Sequence, residues 1–331
     1  MTSTATMQAW QFEQYGHYTE VLHWTERALP EPGPRQARVR TAAVSLNFPD
    51  LLIVQGKYQH RAPLPAVPGV EAVGIVEAVG PGSKFKIGDR AVGFCHGGGT
   101  LAEAFLVDDA SAWTVPTHVA DEQAAALSVT YGTSWFGLTH RAQLTEGETL
   151  LVLGAAGGVG LAAIQLGKLL GATVIACAGD ARKLAVCRDN GADHLIDYRR
   201  EDLVERVKEI TAGRGADVIY DPVGGDLFDQ VKRCVAWGGR LVVIGFAGGR
   251  IPQIELNRIL LKNMTVVGLA WGQYLDRGSK LPEKAQFEFY DMIARRQIDP
   301  VIYRSLPFAE VKEGLRLIES REVYGKIVIT R

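Results

Sequence analysis

The chain is poor in the features that mark several broad protein classes. It has only four cysteines in 331 residues, Cys95, Cys177, Cys187 and Cys234. They are scattered and suit neither a disulfide framework nor a zinc cluster. Cys177 and Cys187 lie in or beside apolar segments and read as small buried hydrophobes. An excess of one charge is also lacking: 36 Lys and Arg stand against 37 Asp and Glu. No net field therefore draws nucleic acid or an anionic membrane. No apolar run is long enough to cross a bilayer, and the opening MTSTATMQAW has neither a basic nor an apolar signal region. Met1 to Thr6 read as a loose leader before Met7. There are no internal repeats and no low-complexity tract. These absences leave a cytoplasmic globular protein, with neither nucleic acid nor membrane expected as a partner.

At 331 residues the chain can fill about two domains, and 47% hydrophobic with 22% charged residues is ordinary for globular proteins. Its most informative stretch is LLVLGAAGGVGLAAIQLGKLLG (150–171). Leu150 to Leu153 form a short apolar run of the kind buried on both faces of a sheet. Gly154, Gly157, Gly158 and Gly160 follow, with only Ala155, Ala156 and Val159 between them. Leu161, Ile164, Gln165, Lys168 and Leu169 then recur at helical spacing, and Gly171 stands where a helix C-cap belongs. Strand, glycine turn and helix in that order form a dinucleotide-binding element. Small residues let the backbone approach a pyrophosphate, which the free amides and dipole of the helix N-terminus then hold. The spacing Gly154-x-x-Gly157-x-x-Gly160 is not the common G-x-G-x-x-G, and by itself it also suits a plain tight turn.

The flanks decide between these. The first 125 residues read as mostly β, with short strands expected at 7–12, 21–26, 37–46, 73–80, 89–94, 101–107 and 112–115, punctuated by Gly and Pro. Such spacing predicts a small irregular barrel. A helical stretch capped by acidic residues, DEQAAALSVTYGTSWFGLTHRA (121–142), leads into the glycine element. Strands then alternate with helices: 150–153, 173–179, 194–197, 218–224, 240–246 and 264–270, with helices at Ala181 to Asn190 and Leu203 to Thr211. That alternation predicts a parallel, doubly wound α/β sheet with right-handed crossovers. The tail from about Trp271 returns to mixed character and ends in GKIVIT (325–330), a strand expected to rejoin the N-terminal barrel. The expected division is residues 1–125 plus 271–331 in one domain and 126–270 in the other.

The nucleotide is read at the end of the second strand of the alternating region. An acidic residue there binds the adenine ribose of NAD, and that position here is Gly179. Arg182 and Lys183 follow in the adjacent turn, and Tyr198 after the third strand, all suited to a 2′-phosphate. Asp180 would repel that phosphate, unless it caps the helix that starts beside it. NADPH is the expected cofactor. A merely solvated helix start is the alternative for Arg182 and Lys183.

GETLLVLGAAGGVGLAAIQLGK (147–168) resembles the signature segment of the quinone oxidoreductase and zeta-crystallin branch of the medium-chain dehydrogenase/reductases. SLNFPDLLIVQGKYQ (45–59), PGVEAVGIVEAVG (68–80), GDRAVGF (88–94), YDPVGG (220–225) and YGKIVI (324–329) also look like family blocks in family order. The resemblance implies a GroES-like, mostly β catalytic domain split around a Rossmann domain. It also implies NADPH and a homodimer formed by edge pairing of the last Rossmann strand, here 264–270. The implied cofactor contacts are Thr133, Gly154, Ala156, Gly157, Gly158, Val159, Gly179, Arg182, Lys183, Tyr198, Gly245, Phe246 and Lys326.

The zinc enzymes of this superfamily hold their catalytic metal with a Cys and with a His that precedes a Glu. This chain has Asn47 in the first place and Val70 before Glu71, so no metal is expected and Glu71 reads as structural. Without a Lewis acid, alcohol oxidation is disfavoured, whereas reduction of an electron-poor quinone or enone needs chiefly a well-placed hydride donor. Asn47, Asp50 and Tyr58 are the catalytic candidates. In the resembling family the Asn and Tyr of this block line the cleft near the nicotinamide. In related enoyl-thioester reductases a Tyr in a similar setting donates a proton or polarises the carbonyl. Each has a plainer alternative: ring packing on Pro63 or Pro65 for Tyr58, a turn for Asn47 and a helix cap for Asp50. His60 and His96 have no evident partner and no assigned role. The expected activity is NADPH-dependent, zinc-independent reduction of quinones or α,β-unsaturated carbonyls. Enoyl-thioester reduction is the alternative, with Lys57, His60 and Arg61 as a rim for a CoA phosphate. An NADPH-binding structural or RNA-binding role is a third reading, which the balanced charge disfavours.

Overall fold

A computed structural model of the chain describes residues 5–331. It forms two compact units: one of residues up to Val129 with Tyr274–Ala294 and Ile302–Arg331, the other of Thr130–Gln273 with Arg295–Val301. Of the expected leader, residues 1–4 lie outside those described, while Thr6 already belongs to the first strand. The strands in chain order are β1 (Thr6–Gln11), β2 (His23–Ala28), β3 (Gln36–Leu46), β4 (Glu71–Val79), β5 (Arg90–Phe94), β6 (Ala104–Asp108), β7 (Ala112–Thr114), β8 (Thr149–Leu153), β9 (Thr173–Ala178), β10 (His194–Asp197), β11 (Ala216–Asp221), β12 (Val235–Val243), β13 (Thr265–Gly268), β14 (Ile302–Pro307) and β15 (Lys326–Thr330). No helix among the described residues is long and apolar enough to cross a membrane.

The first unit is organised on β3. One edge of this strand pairs with β4, and its other edge is shared by β6 along Gln36–Arg40 and by β15 along Ala43–Leu46. The full order is β14-β15-β3-β4-β5-β7, with β1 and β2 as a separate antiparallel pair. Two register shifts bend the β3–β4 pairing, between Arg38 and Val39 and between Thr41 and Ala43. Gly74 sits opposite this bend because a Cβ there would stand 1.9 Å from the Arg40 carbonyl oxygen. The C-terminal strand lies antiparallel on β3, as GKIVIT suggested. Strand β14 was not foreseen: it is an edge strand that buries only Leu306, so its sequence lacks alternation.

The second unit is a six-stranded sheet in the order β10-β9-β8-β11-β12-β13, every pairing parallel. That is the doubly wound dinucleotide-binding order, with β8 at its centre and buried along its whole length. Its core includes Leu151, Ile175, Cys177, Ile219, Phe228 and Leu241. Cys177, Cys187 and Cys234 are buried free thiols, and burial pushes the latter two up to about 12.

Three boundaries differ from expectation for local reasons. The helical stretch at 121–142 is broken into Asp121–Ala125, Ser128–Trp135 and a π-helical turn Phe136–Arg141. At the break the Val129 amide donates to the Glu71 carboxylate rather than to a helical carbonyl. Strand β11 stops at Asp221 because that carboxylate accepts the amides of Val223 and Gly224, each at 2.8 Å, and turns the chain. Strand β12 begins five residues earlier than expected, with a register shift against β11 that absorbs Gly238 and Gly239.

Candidate active site

In the second unit, the glycine stretch forms a closed turn at the C-terminal end of β8. Gly154 is left-handed (φ +55°), and the Gly157 amide donates to its carbonyl at 2.9 Å. Gly157 then begins the helix Gly158–Leu169. At Gly160 a Cβ would fall 2.5 Å from the Gly154 carbonyl oxygen and 2.6 Å from that of Ala155, so the first helical turn can pack on the loop only without a side chain. The first-turn amides have no intrahelical acceptor. Gly157, Gly158 and Val159 are partly exposed, and a pyrophosphate held there would face the helix dipole.

The adenosine end is read at Gly179, just after β9. A Cβ there would lie 2.7 Å from the Tyr198 phenol oxygen and 3.0 Å from Arg199 Nε. Both side chains are turned over this glycine after β10, where Asp197 accepts the Arg199 amide at 3.0 Å and Tyr198 N–H donates to the Ala178 carbonyl. The acid that would bind an NAD ribose is absent, and its space is filled by a phenol and a guanidinium. Asp180 caps the helix Ala181–Asp189, accepting the Lys183 amide at 2.9 Å, and its other oxygen stands 4.0 Å from Lys183 Nζ. Its charge is thereby tied into the helix start. Arg199 went unnoticed in the sequence; its signal was adjacency to Tyr198 at a strand end.

Because every strand is parallel, the loops after β10, β9, β8, β11 and β12 share one edge of the sheet. Tyr198, Gly179, the glycine turn, the Asp221 turn and Gly245–Phe246 follow one another along it. Four interstrand spacings span about 19 Å, a length that suits an extended dinucleotide. Phe246 is 38% exposed and lies against Gly224, where a Cβ would be 2.9 Å from its ring. Thr133 is partly exposed in the helix Ser128–Trp135.

In the first unit, Asn47, Asp50, Glu71 and Lys326 form one buried cluster, each at most 6% exposed. Asp50 accepts the Asn47 amide at 2.7 Å and the Gly69 amide at 3.1 Å, one with each oxygen. Asn47 Nδ2 donates to Glu71 at 3.0 Å and to the Ser45 carbonyl at 3.1 Å. The Lys326 ammonium donates to the Leu46 carbonyl at 2.9 Å, to Asn47 Oδ1 and to Glu71 at 3.5 Å. Burial pushes Asp50 up to about 7 and raises Glu71, both against the pull of Lys326, and it lowers Lys326 itself.

This arrangement corrects part of the expectation. Asp50 is wholly buried with both oxygens on backbone amides, so it caps the helix Phe48–Val54 and fixes the Gly69 loop rather than meeting substrate. Asn47 is held on every polar atom. The three N–H donors of Lys326 are taken up within the cluster, leaving none for a cofactor phosphate as the side chain stands. Tyr58 is different: it is half-buried, and its phenol makes no hydrogen bond among the described residues. Burial and then the nearby Asp50 charge raise its pKa.

Two family models match the chain: "Alcohol dehydrogenase GroES-like domain" over residues 33–117 and "Zinc-binding dehydrogenase" over 158–287. A quinone oxidoreductase-like protein 2 homolog of Nematostella vectensis is 40% identical over 300 residues, 90% of this chain and 82% of that one. The chain belongs to the quinone oxidoreductase branch of the medium-chain dehydrogenase/reductases. A quinone oxidoreductase of Pseudomonas aeruginosa is 35% identical over 96% of this chain and 98% of its own length. The crystal structure of Escherichia coli quinone oxidoreductase complexed with NADPH superposes with a TM-score of 0.87 at 31% identity, covering 99% of this chain and 100% of that one.

In this chain the two positions at which zinc enzymes of the superfamily hold their metal carry poor donors. Val70 is a buried hydrophobe, and Asn47 carries the Lys326 ammonium on its amide oxygen. A cation placed there would face that ammonium. His60 and His96, without a partner in sequence, do come together: their rings are 5.3 Å apart, and His96 Nδ1 is 3.3 Å from Asp276.

Proposed function

We propose that this protein is an NADPH-dependent oxidoreductase that reduces quinones or α,β-unsaturated carbonyls, with no zinc at the family's catalytic position. The observation that carries this reading is the Lys326 ammonium bonded to Asn47 beside Val70, where zinc-dependent relatives hold their metal. Without a Lewis acid to stabilise an alkoxide, the favoured substrate is an acceptor that already draws electrons. When bound, NADPH supplies a hydride from C4 of its nicotinamide. The amides of Gly157, Gly158 and Val159 would hold the pyrophosphate, and Tyr198, Arg199 and Lys183 would hold the 2′-phosphate. Thr133 and Phe246 would border the nicotinamide. Tyr58 donates its O–H to the substrate oxygen as negative charge develops there. A phenol whose pKa is raised above its ordinary value stays protonated at neutral pH and suits hydrogen-bond donation, with water supplying the one proton that accompanies the hydride.

The test follows NADPH absorbance with 1,4-benzoquinone, 9,10-phenanthrenequinone and crotonyl-CoA offered separately, and NADH in parallel. Quinone reduction with NADPH is expected. Turnover of crotonyl-CoA alone would replace the proposal by enoyl-thioester reduction, and binding of NADPH with no turnover of any acceptor would count against an enzymatic role.

The same reading includes a homodimer through β13. This is the edge strand of its sheet, and the preceding helix Leu256–Lys262 exposes Leu256, Leu260 and Leu261 by three-quarters or more. Replacing Leu256 and Leu260 by Asp is expected to convert a dimer to a monomer in light scattering after size exclusion. A wild type that already elutes as a monomer rejects this part.

A further inference from the structure

We propose that His60, His96 and Asp276 form a binding site for one divalent transition-metal ion of the Zn²⁺ type, separate from the family's catalytic-zinc positions. Each residue offers one ligand atom, and these atoms all lie within 4.8 Å of one another. A tetrahedral ion with ligands near 2.05 Å separates its donors by about 3.4 Å. His96 Nδ1 and Asp276 Oδ2 already stand 3.3 Å apart. The rest of the closure falls to His60, which is exposed on the loop after the helix Phe48–Val54 with its ring 5.3 Å from that of His96.

The three donors come from segments far apart in sequence. His96 follows β5, where Phe94 meets its ring edge-on with centroids 4.8 Å apart and so sets its plane. The turn that carries it is fixed by the Cys95 amide donating to the Val70 carbonyl at 2.7 Å and by Gly98 N–H donating to the Cys95 carbonyl at 3.1 Å. Asp276 ends the short helix Gly272–Asp276. Two imidazoles with one carboxylate are a donor set for zinc and its neighbours, and three protein ligands leave a fourth position to water. The neighbouring Cys95 is turned away from the site, its thiol donating to the Leu106 carbonyl at 3.5 Å. The ion would tie the loop carrying His60, two residues beyond Tyr58, to the turn after β5 and to Asp276. This inference does not depend on the proposed reaction, since it concerns binding of the metal alone.

The test uses the full chain, stripped with a chelator and dialysed, then titrated with Zn²⁺ against a chromogenic competitor. Co²⁺ is titrated separately and read by its visible absorption. One equivalent of Zn²⁺ is expected, with a rise in melting temperature. The affinity is expected to fall at least tenfold in His60→Ala, His96→Ala and Asp276→Asn, and to stay unchanged in His23→Ala and Cys95→Ser. His60 is exposed, so His60→Ala keeps its fold and decides the matter even where a second variant does not. Absence of stoichiometric binding at micromolar Zn²⁺, or wild-type affinity in His60→Ala, overturns the site. Loss of binding in Cys95→Ser with retention in His60→Ala would reassign the ion to the thiol and overturns it equally.

Discussion

Lys326→Met removes the only cation that meets Glu71 among the described residues, and its cost follows from the cluster's geometry. The ammonium lies 3.5 Å from Glu71 Oε1, and both groups are buried. At an effective dielectric of about 20 their attraction is about 5 kcal/mol. Removing one partner of a buried pair costs about 3–5 kcal/mol in general, because an uncompensated charge remains. The Leu46 carbonyl and Asn47 Oδ1 also lose a donor. Protonation of Glu71, whose pKa burial already raises, limits the damage. We therefore expect Lys326→Met to lose about 3–5 kcal/mol at pH 7.5. In the variant the folded pKa of Glu71 lies further above its unfolded value. The stability it contributes is thus present below the unfolded pKa and lost as pH rises through the folded one. The deficit should shrink as pH falls from 7.5 to 5.5. Lys326→Met combined with Glu71→Gln should recover more than half of the loss, a coupling that a double-mutant cycle reads directly. Urea unfolding followed by tryptophan fluorescence measures each term. A loss under about 1 kcal/mol, or one that does not change with pH, would refute the reasoning.

Wild-type stability should fall as pH rises from about 5 to 7, because burial holds the folded pKa of Asp50 near 7, above its unfolded value; Asp50→Asn should flatten that slope in urea unfolding. Tyr58→Phe should lower kcat for quinone reduction by about 10- to 100-fold while leaving NADPH affinity unchanged in a fluorescence titration; an unimpaired kcat removes Tyr58 as a donor. Arg199→Ala should narrow the preference for NADPH over NADH by about tenfold in Kd, and equal loss for both cofactors would place Arg199 away from the 2′-phosphate. Gly160→Ala drives a methyl against two backbone carbonyl oxygens, so NADPH binding should be lost while the fold, read by circular dichroism, is kept.

Legibility differed sharply between the two units. The parallel sheet announced itself because its strands are buried on both faces and its turns demand glycine: Leu150–Leu153 and Gly154–Gly160 leave few other readings. The cofactor choice at Gly179 and the capping role of Asp180 were equally local, each depending on residues within a turn of one another. Edge strand β14 escaped notice because one buried residue imposes no pattern.

The amino-acid order by itself thus determined the fold class, the family and the place where a dinucleotide can bind, since each rests on short-range periodicity and backbone sterics. Only the tertiary structure decided which polar residues are available for chemistry. In sequence, Asn47, Asp50 and Lys326 read as candidate site residues and Glu71 as structural. Folding brings Lys326 onto Asn47 across 279 positions and encloses all four, while Tyr58 stays half open. The same long-range contacts join His60, His96 and Asp276. The reason is physical: burial and charge pairing depend on what the rest of the chain places alongside a residue, and no local pattern encodes that.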